Sequence, residues 1–523
     1  MPPAFPLLRC FAATVAVSLL MLVGCSSIPR DFDRNPSSAL ENPGRTTAGQ
    51  IFRPELKAHS GQSGFILLPS GEEMFGAING IAAIAEETID AQYYTWKADT
   101  SGKLLIDRLI RAGDRGVRVR ILLDDFFTRG QDQGIATIDS HSNIEIRIFN
   151  PFSNRTFRGI DFLTDFSRVN HRMHNKVFIA DNAVAVVGGR NIGNRYFGVD
   201  PDANYRDLDV LAVGPVVANV SHSFDTFWNS DLAIPISAIT DFGVSEEERQ
   251  RSFQTLREWS VEEADGFPYE VFRERDQRIA RLDGIRDRFI WANAEVLFDD
   301  PSKAAGSGER GIAPRLRQVI ASLKNELLIE SAYFVPGTRG VDLLGQLEDR
   351  GVEVRILTNS LASNDVTPAF SGYAPYRLPL LRHGVELHEL RADPGSVRQY
   401  WSNLATRAKA TLHTKTLVFD RSKVFIGSMN LDPRSDRINT EIGLLIHSEE
   451  LSTQVATFIE LGMEPENSYV LSLNDKSGHS LGPMMWQGET RGTRVQYHDE
   501  PEASIGKKMR AWFLSLLPIE KQL

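Results

Sequence analysis

The chain has 523 residues and a mass of 58.4 kDa, a length typical of roughly three to four domains. Its 42% hydrophobic and 24% charged residues exclude a collagen, a disordered chain and a polytopic membrane protein. A net charge of −10 and a pI of about 5.7 exclude an overall positive field, so we expect no nucleic-acid partner. Both cysteines, Cys10 and Cys25, precede residue 26, which excludes a disulfide framework or a cysteine-ligated metal site in the rest.

The N-terminal 24 residues have the pattern of an export signal, with one basic residue followed by an apolar run too short to span a bilayer comfortably. The sequence LVGC at residues 22–25 resembles the lipobox of bacterial lipoproteins. That resemblance implies cleavage before Cys25 and lipidation of Cys25, and the alternative is a cleaved signal with an incidental cysteine. We therefore expect a lipoprotein of the bacterial cell envelope that faces the periplasm. Ser26 suggests the outer membrane by analogy with enteric bacteria, with the inner membrane left open.

Residues 25–62 are rich in Ser, Pro, Asn, Gly and charge, and we predict a tether there. An internal repeat organises the chain beyond this tether. The segment DRGVRVRIL at residues 114–122 recurs as DRGVEVRIL at residues 349–357, each time after an amphipathic stretch. This pattern predicts a helix, a glycine stop and a buried strand, twice.

Strands alternate with helices in the same order in both copies, which predicts an α/β fold. We expect two similar α/β halves, residues 63–243 and 285–465, related by pseudo-twofold symmetry. Residues 244–284 are dense in Glu and Arg and predict a charged helical linker. Residues 466–523 form a C-terminal extension, and its polar, Gly-rich part up to residue 506 predicts no particular structure or function.

Each half carries the same motif at the equivalent place, H-x-K-x₄-D and then, after six intervening residues, a Gly-x-x-Asn tail. The six motif residues are the candidate catalytic set: His174, Lys176, Asp181, His413, Lys415 and Asp420. The tails supply candidate phosphate-binding residues: Gly189 and Asn191 in the first half, Ser428 and Asn430 in the second.

The spacing predicts a hairpin in which His174 and Lys176 share one face and Asp181 makes the turn. The glycines after the return strand are expected beside His174, where small residues leave space and expose backbone N–H groups. Because Asp181 and Asp420 have the opposite parity, we infer that they brace the hairpins and do not touch a substrate.

Histidine, lysine and asparagine around a glycine-lined space suit an anionic phosphoryl group. Double displacement at phosphorus needs two histidines, and pairing the halves supplies both, one to attack and one to protonate the leaving alcohol. We expect no cofactor and no metal, since two lysines and amide donors neutralise the phosphate oxygens.

The doubled motif with its tail resembles the phospholipase D superfamily over residues 63–465. That resemblance implies two phospholipase D-like halves, each a mixed sheet flanked by helices, with one active site at their interface and a phosphohistidine intermediate. By analogy with the family it favours His174 as the nucleophile and His413 as the general acid, then base, although the spacing does not decide which is which. Family members also orient each histidine with a downstream acid, for which the candidates are Glu441 and Asp209. Asp207 has the same parity as Asp209, and that choice stays open.

Longer stretches resemble bacterial cardiolipin synthases, most of all their C-type branch. They include residues 188–193, 299–303, 333–337 and 427–435. The implied reaction moves a phosphatidyl group from one phospholipid to a hydroxyl of another, typically phosphatidylglycerol, with phosphatidylethanolamine as another substrate. The expected partners are thus phospholipids and, through the lipid anchor, a membrane.

Two alternatives remain, one that uses the same chemistry and one that has no enzymatic activity. A hydrolase of the same fold would release phosphatidic acid or cut nucleic acid, and the acidic net charge weakens the nuclease version. A non-enzymatic lipoprotein with a decayed site is opposed by the intact motifs. The basic, aromatic segment 507–518 either lies in a membrane interface or packs on its own domain.

Overall fold

One continuous sheet runs through both halves of the protein. The computed structural model describes residues 28–29, 31–306, 308, 311–401, 408–473, 484–517 and 522. Within these residues eighteen strands pair in a single order: β9-β4-β3-β2-β5-β6-β8-β1-β10-β17-β16-β15-β11-β12-β13-β18-β19-β20. Two further strands, β7 and β14, pair in parallel with each other.

The strands of the first half are β1 (Ser63–Leu68), β2 (Thr88–Tyr93), β3 (Arg118–Asp124), β4 (Ile144–Phe149), β5 (Val177–Ala180), β6 (Val184–Gly188), β7 (Ala203–Arg206), β8 (Asp209–Val213) and β9 (Ala233–Pro235). The α-helices up to the second half are α1 (Thr47–Ile51), α2 (Arg53–Ala58), α3 (Gly71–Ile84), α4 (Thr100–Asp114), α5 (Asp132–Asp139), α6 (Gly159–Thr164), α7 (Phe166–Asn170), α8 (Pro215–Trp228), α9 (Ile236–Ile239), α10 (Glu246–Ala264) and α11 (Arg275–Gly284).

The later strands are β10 (Ile290–Phe298), β11 (Glu326–Ser331), β12 (Glu353–Asn359), β13 (Glu386–Leu390), β14 (Lys409–Leu412), β15 (Lys415–Phe419), β16 (Lys423–Gly427), β17 (Ile442–His447), β18 (Ser468–Leu473), β19 (Met484–Thr490) and β20 (Thr493–Tyr497). The later α-helices are α12 (Ile312–Ala321), α13 (Gly337–Asp349), α14 (Thr367–Tyr373), α15 (Arg377–Arg382), α16 (Pro433–Arg437), α17 (Glu449–Met463) and α18 (Ile505–Ser515).

The strand order is symmetric about the pair β1–β10, where Phe65 lies opposite Ile290. Reading outward on either side gives the same sequence of elements, so β3 corresponds to β12 and β5 to β15. The predicted helix-glycine-strand repeat is confirmed: α4 and α13 end before Gly116 and Gly351, whose φ angles of 93° and 80° favour glycine. The fold is therefore the predicted pair of α/β halves, each a mixed sheet flanked by helices.

The two halves share a hydrophobic core. Val187 and Val210 of the first half belong to the same buried cluster as Ile426 and Leu444 of the second. Helices α8 and α17 cover this cluster, and separate clusters fill the outer face of each half. Because burial of apolar surface drives folding, the shared cluster holds the halves in one fixed arrangement.

The segment predicted as a tether is partly folded, which corrects that prediction for residues 43–58. Helices α1 and α2 lie there, and Phe52 is buried with its ring centroid 5.1 Å from that of Phe289. Composition missed this because a single buried aromatic side chain anchors an otherwise polar segment. The charged segment 244–284 contains helices α10 and α11, as its density of Glu and Arg predicts. Tyr269 of this segment donates a hydrogen bond to Phe197 O at 2.6 Å.

The C-terminal extension completes the second half. Strand β18 pairs with β13, and β19 and β20 widen the sheet beyond it. Helix α18 then packs on α14, where Ser371 Oγ donates to Ala511 O at 3.0 Å. In the part of the chain that the structure describes, no helix is both long and apolar enough to cross a bilayer.

Candidate active site

Two short pairings cross between the halves and lead directly into the site. Strand β7 of the first half runs parallel to β14 of the second, and a parallel bridge joins Met173 to Thr440. The residue that follows each of these paired segments belongs to the site. His413 N donates to Arg206 O at 2.7 Å, and His174 N donates to Thr440 O at 2.9 Å. These backbone bonds fix where each motif histidine lies.

Each histidine is held by a carboxylate from the other half. His174 Nδ1 lies 2.9 Å from Glu441 Oε2 and 3.1 Å from Oε1. His413 Nδ1 lies 2.6 Å from Asp207 Oδ2. All four side chains are buried. A carboxylate on Nδ1 fixes the tautomer and ring orientation, which leaves Nε2 of each histidine for chemistry.

Asp209 does not hold His413, which corrects the predicted orienting acid. Its carboxylate forms an ion pair with the buried guanidinium of Arg190 instead. The ladder register explains the difference. Gly188 pairs with Asp209, whereas its counterpart Gly427 pairs with Gly443, so the residue equivalent to Glu441 is two positions before Asp209, namely Asp207.

The small residues of the motif tails make room for the acids, not for substrate. A Cβ on Gly189 would lie 2.2 Å from Asp207 Oδ1. Ser428 Oγ donates to Glu441 Oε2, and Ser428 N donates to Ile442 O at 2.8 Å. The phosphate-binding roles predicted for Gly189 and Ser428 are therefore wrong in this structure. The hairpin register places Gly189 against Asp207 and Ser428 against Glu441.

The motif lysines are fully buried next to their own histidines. Lys176 Nζ donates to His174 O, and Lys415 Nζ donates to His413 O. Burial lowers the pKa of Lys176 to about 7 against an opposing effect of Glu441, and it lowers the pKa of Lys415 as well. An anion entering the site restores the charged form of both, because opposite charge favours it.

Burial also shifts the pKa values of the two histidines and of the acids that hold them. Burial lowers the pKa of both histidines well below the usual value, and the two lysines add to that effect. Burial raises the pKa of Glu441 to about 7 and that of Asp207 to about 6, partly offset by the lysines. The unliganded site thus favours neutral imidazoles, the form that a nucleophile requires, and a bound phosphodiester anion favours the protonated form that a general acid requires.

The tail asparagines lie in the cavity, as the motif suggests. Asn191 lines the cavity, and its Oδ1 accepts a hydrogen bond from Thr95 N at 3.1 Å. Its side-chain oxygen is therefore occupied, and its amide N–H groups are the part of the side chain left to donate hydrogen bonds. Asn430 also lines the cavity, and its buried Oδ1 has no hydrogen-bond partner among the described residues. Buried amides of this kind are available to bind a polar ligand group.

The motif aspartates support the backbone away from the cavity. Asp181 accepts hydrogen bonds from the backbone N–H groups of residues 86, 87 and 88, and Asp420 does the same for residues 324, 325 and 326. Both occupy hairpin turns with φ near 50°. They hold the turn before β2 or β11 against the motif hairpin, so these two candidates are structural.

Both histidines open into one cavity of about 610 Å³. Aromatic rings surround them: the Tyr94 centroid lies 5.0 Å from that of His174, and Tyr205 lies 5.0 Å from His413. Asp365 accepts hydrogen bonds from the hydroxyls of Tyr205 and Tyr333, both at 3.0 Å. Sequence reasoning missed Tyr205 and Asp365, which stand in no motif. Tyr94 and Tyr333 lie at the ends of equivalent strands in the two halves, and that position was the one sequence feature that could have pointed to them.

Polar residues at the ends of β3 and β12 hold the backbone just before each motif histidine. Asp124 Oδ2 accepts from Met173 N at 2.9 Å, and Asn359 Oδ1 accepts from Leu412 N at 2.8 Å. Met173 and Leu412 immediately precede the two histidines. Polar residues at the ends of β3 and β12 therefore fix the backbone that presents the imidazoles.

Comparison with known proteins places this geometry in a family. The family described as "Cardiolipin synthase, PLD-like domain" matches residues 81–228 and 316–461, once in each half. Cardiolipin synthase C of Escherichia coli K12 is 39% identical over 89% of this chain and 98% of its own. The chain belongs to the cardiolipin synthase family of phospholipase D-like proteins. The resemblance read from the doubled motif is thereby confirmed, and the chain is an enzyme of the phospholipase D superfamily.

Other members of the family are more distant. Cardiolipin synthase A of Pseudomonas syringae pv. syringae B728a is 27% identical over 80% of this chain and 72% of its own. A crystal structure of phosphatidylserine synthase from Haemophilus influenzae Rd KW20 aligns with a TM-score of 0.55 and 16% identity. It covers 91% of this chain and 100% of that one, which shows a common fold.

The predicted lipid anchor lies outside the part of the chain that the structure describes. Cys25, the predicted lipidation site, lies outside the described residues together with the signal segment 1–24. Among the residues that the structure does describe, no group of three or more His, Cys, Asp or Glu side chains is arranged to hold a metal ion.

Proposed function

We propose that the protein is a phosphatidyltransferase that makes cardiolipin by moving a phosphatidyl group from one phospholipid to another. One observation carries the proposal. Two histidines, each held through Nδ1 by an acid of the opposite half, share a single cavity. Two such imidazoles are the minimum for double displacement at phosphorus, and the kinship with cardiolipin synthase C of Escherichia coli supports a lipid acceptor.

In the first step, His174 Nε2 attacks the phosphorus of the donor lipid. A P–N bond forms while the P–O bond to the donor head group breaks. His413, protonated, gives its proton to the departing oxygen, so the head group leaves as a neutral alcohol. Glu441 stabilises the positive charge that develops on His174. Asn191 in the cavity and the two buried lysines beside the histidines offset the negative charge on the phosphoryl oxygens.

In the second step, the acceptor lipid brings a hydroxyl to the same phosphorus. His413, now neutral, takes the hydroxyl proton, the new P–O bond forms and the P–N bond breaks. Asp207 stabilises the imidazolium that results. The cycle ends with His174 neutral and His413 protonated, ready for another donor.

The substrates follow from the product. Cardiolipin contains two phosphatidyl groups on one glycerol, so the acceptor is phosphatidylglycerol, whose glycerol has a free primary hydroxyl. The donor is phosphatidylglycerol or phosphatidylethanolamine, which release glycerol and ethanolamine respectively. The mixed lining of the cavity, with tyrosines beside Asn191 and Asn430, suits a polar head group between apolar walls.

The enzyme is proposed to work at the periplasmic side of the bacterial envelope, anchored by lipid on Cys25. The sequence LVGC at residues 22–25 supports this location. Several acyl chains give stable attachment, since burial contributes about 0.8 kcal/mol per CH₂. Membrane fractionation of cells that express Cys25→Ser tests it: release into the soluble fraction is expected, and retention in the membrane would refute the anchor.

The test of the reaction uses protein from residue 26 onward, which keeps every described residue, with vesicles of phosphatidylglycerol and phosphatidylethanolamine. Mass spectrometry counts cardiolipin, phosphatidic acid and the released alcohol. Cardiolipin with glycerol or ethanolamine is expected, and the alcohol identifies the donor. His174→Ala and His413→Ala serve as matched controls without turnover. Phosphatidic acid alone would overturn transferase function in favour of hydrolysis by the same site.

A further inference from the structure

Two groups of exposed apolar side chains flank the cavity, one from each half. The first-half rim consists of Phe157, Leu163 and Phe166, which are 66%, 87% and 48% exposed. The second-half rim consists of Met509, Trp512, Phe513 and Leu516 in and after α18, all at least 58% exposed. Exposed apolar groups this dense normally mark a binding surface.

The first-half rim reaches the cavity through α7. This helix contains Phe166 and ends at Asn170, whose Oδ1 accepts from Arg434 at 2.8 Å and whose Nδ2 donates to Gln522 at 2.7 Å. Arg434 and Gln522 both line the cavity that holds the two histidines. Leu163, in α6, lies on the segment that brings Phe162 against Phe126, another cavity residue.

The second-half rim reaches the cavity through α14. Val366 lines the cavity and directly precedes α14, on which α18 packs. Lys507, in the first turn of α18, donates to Asn364 O at 2.6 Å, next to the cavity residue Asp365. Ala511 is the only residue of α18 that is buried, so the helix exposes most of its apolar side chains.

A lipid bilayer fits this surface better than a protein partner does. In a chain with a net charge of −10, residues 505–517 carry Lys507, Lys508 and Arg510 and no acid. Trp512 and Phe513 beside basic residues are typical of helices that lie in a membrane interface. Lys508 forms an ion pair with Asp499, and Lys507 donates hydrogen bonds to backbone carbonyl groups. Arg510 is exposed and is the basic side chain that we expect to contact lipid head groups.

The N-terminal end of the described chain points to the same face. Ile28 and Pro29 line a groove of about 330 Å³ together with Phe152 and Arg155, two to five residues before Phe157 of the first-half rim. Cys25, the residue proposed to carry the lipid anchor, precedes Ile28 by three positions in the sequence. The first described residues of the chain therefore lie next to the segment that carries the first-half rim.

We propose that the two rims dock on the surface of an anionic phospholipid bilayer and hold the mouth of the active-site cavity against it. This inference rests on the proposed function, because a lipid substrate must leave the bilayer to reach the histidines. Docking by both halves allows head groups to enter the cavity while the acyl chains stay among apolar side chains. The rims act on membrane binding, not on the chemical steps.

The experiment measures flotation of protein from residue 26 onward with vesicles of phosphatidylglycerol and phosphatidylethanolamine. Phe157→Ser/Leu163→Ser/Phe166→Ser and Met509→Ser/Trp512→Ser/Phe513→Ser are each expected to lower binding at least about tenfold. A matched control, Phe242→Ser/Val261→Ser, removes apolar side chains that are 49% and 57% exposed, one just before the segment that links the halves and one within it, and should leave binding unchanged. Unchanged binding in either rim variant, or an equal loss in the control, would overturn the proposal.

Two further measurements separate docking from catalysis. His174→Ala should float as the unaltered protein does, because docking needs no turnover. Both rim variants should retain turnover of short-chain lipids dissolved below the concentration at which they aggregate. Loss of that turnover would show that the rims serve the reaction and would refute a docking role. Binding without any product from the unaltered protein would refute the proposed function but leave docking standing.

Discussion

Glu441 of the second half holds His174 of the first, with 2.9 Å between Oε2 and Nδ1. The reciprocal contact, Asp207 to His413, joins the halves in the other direction. Neither half can orient its own histidine, so the active site exists only when the two halves are assembled. The shared hydrophobic core and the β7–β14 pairing make that arrangement permanent.

Replacing the orienting acids tests this exchange directly. Asp207→Asn and Glu441→Gln should each lower kcat by about 10²–10⁴-fold, since the amide supports the wrong tautomer and no longer stabilises imidazolium. Turnover of vesicle lipid and thermal unfolding are the measurements, with Tm expected to change little. Asp209→Asn is the matched comparison. It should lower stability by weakening the pair with Arg190, and an equal kcat loss at unchanged Tm would contradict the assignment.

Adding one methyl group at Gly189 should disable the second histidine. In Gly189→Ala the Cβ would lie 2.2 Å from Asp207 Oδ1 and force the carboxylate away from His413. We expect kcat to fall about 10²-fold, the cost of a displacement of about 1 Å in a catalytic group. Gly76→Ala on the exposed face of α3 meets nothing within 4 Å and should gain about 0.5–1 kcal/mol in stability with full activity. Full activity of Gly189→Ala would argue against the role of Asp207.

Binding of the lipid phosphate should weaken as pH rises through neutrality. Because burial lowers the pKa of Lys176 to about 7, this lysine is charged below that pH and neutral above it. A phosphodiester keeps its single negative charge throughout, so the dissociation constant should rise by up to about tenfold per pH unit above about 7. Calorimetry of short-chain phosphatidylglycerol with His174→Ala, which binds without turnover, measures this. Lys176→Arg should flatten the profile, and a flat profile in the Lys176 protein would contradict the low pKa.

Replacing a motif aspartate should lower stability, whereas replacing a motif histidine should abolish turnover. Asp181→Ala removes the acceptor for three backbone N–H groups, and we expect the free energy of unfolding to fall by about 2–4 kcal/mol. The folded fraction should keep its turnover. His174→Ala should show the converse, no turnover and nearly unchanged unfolding by denaturant. Loss of turnover at full stability in Asp181→Ala would mean that the aspartate acts in catalysis.

Much of the fold followed from local patterns. The repeat at residues 114–122 and 349–357 predicted equivalent strands, and the motif spacing predicted hairpins with Asp181 and Asp420 at the turns. Those features depend on periodicity and turn chemistry, which neighbouring residues determine. The polar segment 43–58 escaped this reasoning because its helices depend on burying Phe52 against a residue more than two hundred positions away.

The sequence by itself determined the chemistry: which residues carry it, how often they occur and that two copies must meet. Only the tertiary structure decided that each acid serves the histidine of the other half, that Asp207 and not Asp209 is one of them, and that Gly189 and Ser428 lie against these acids. Parity along one strand cannot distinguish positions two residues apart. The register between strands distinguishes them, and that register is set by packing across the whole sheet.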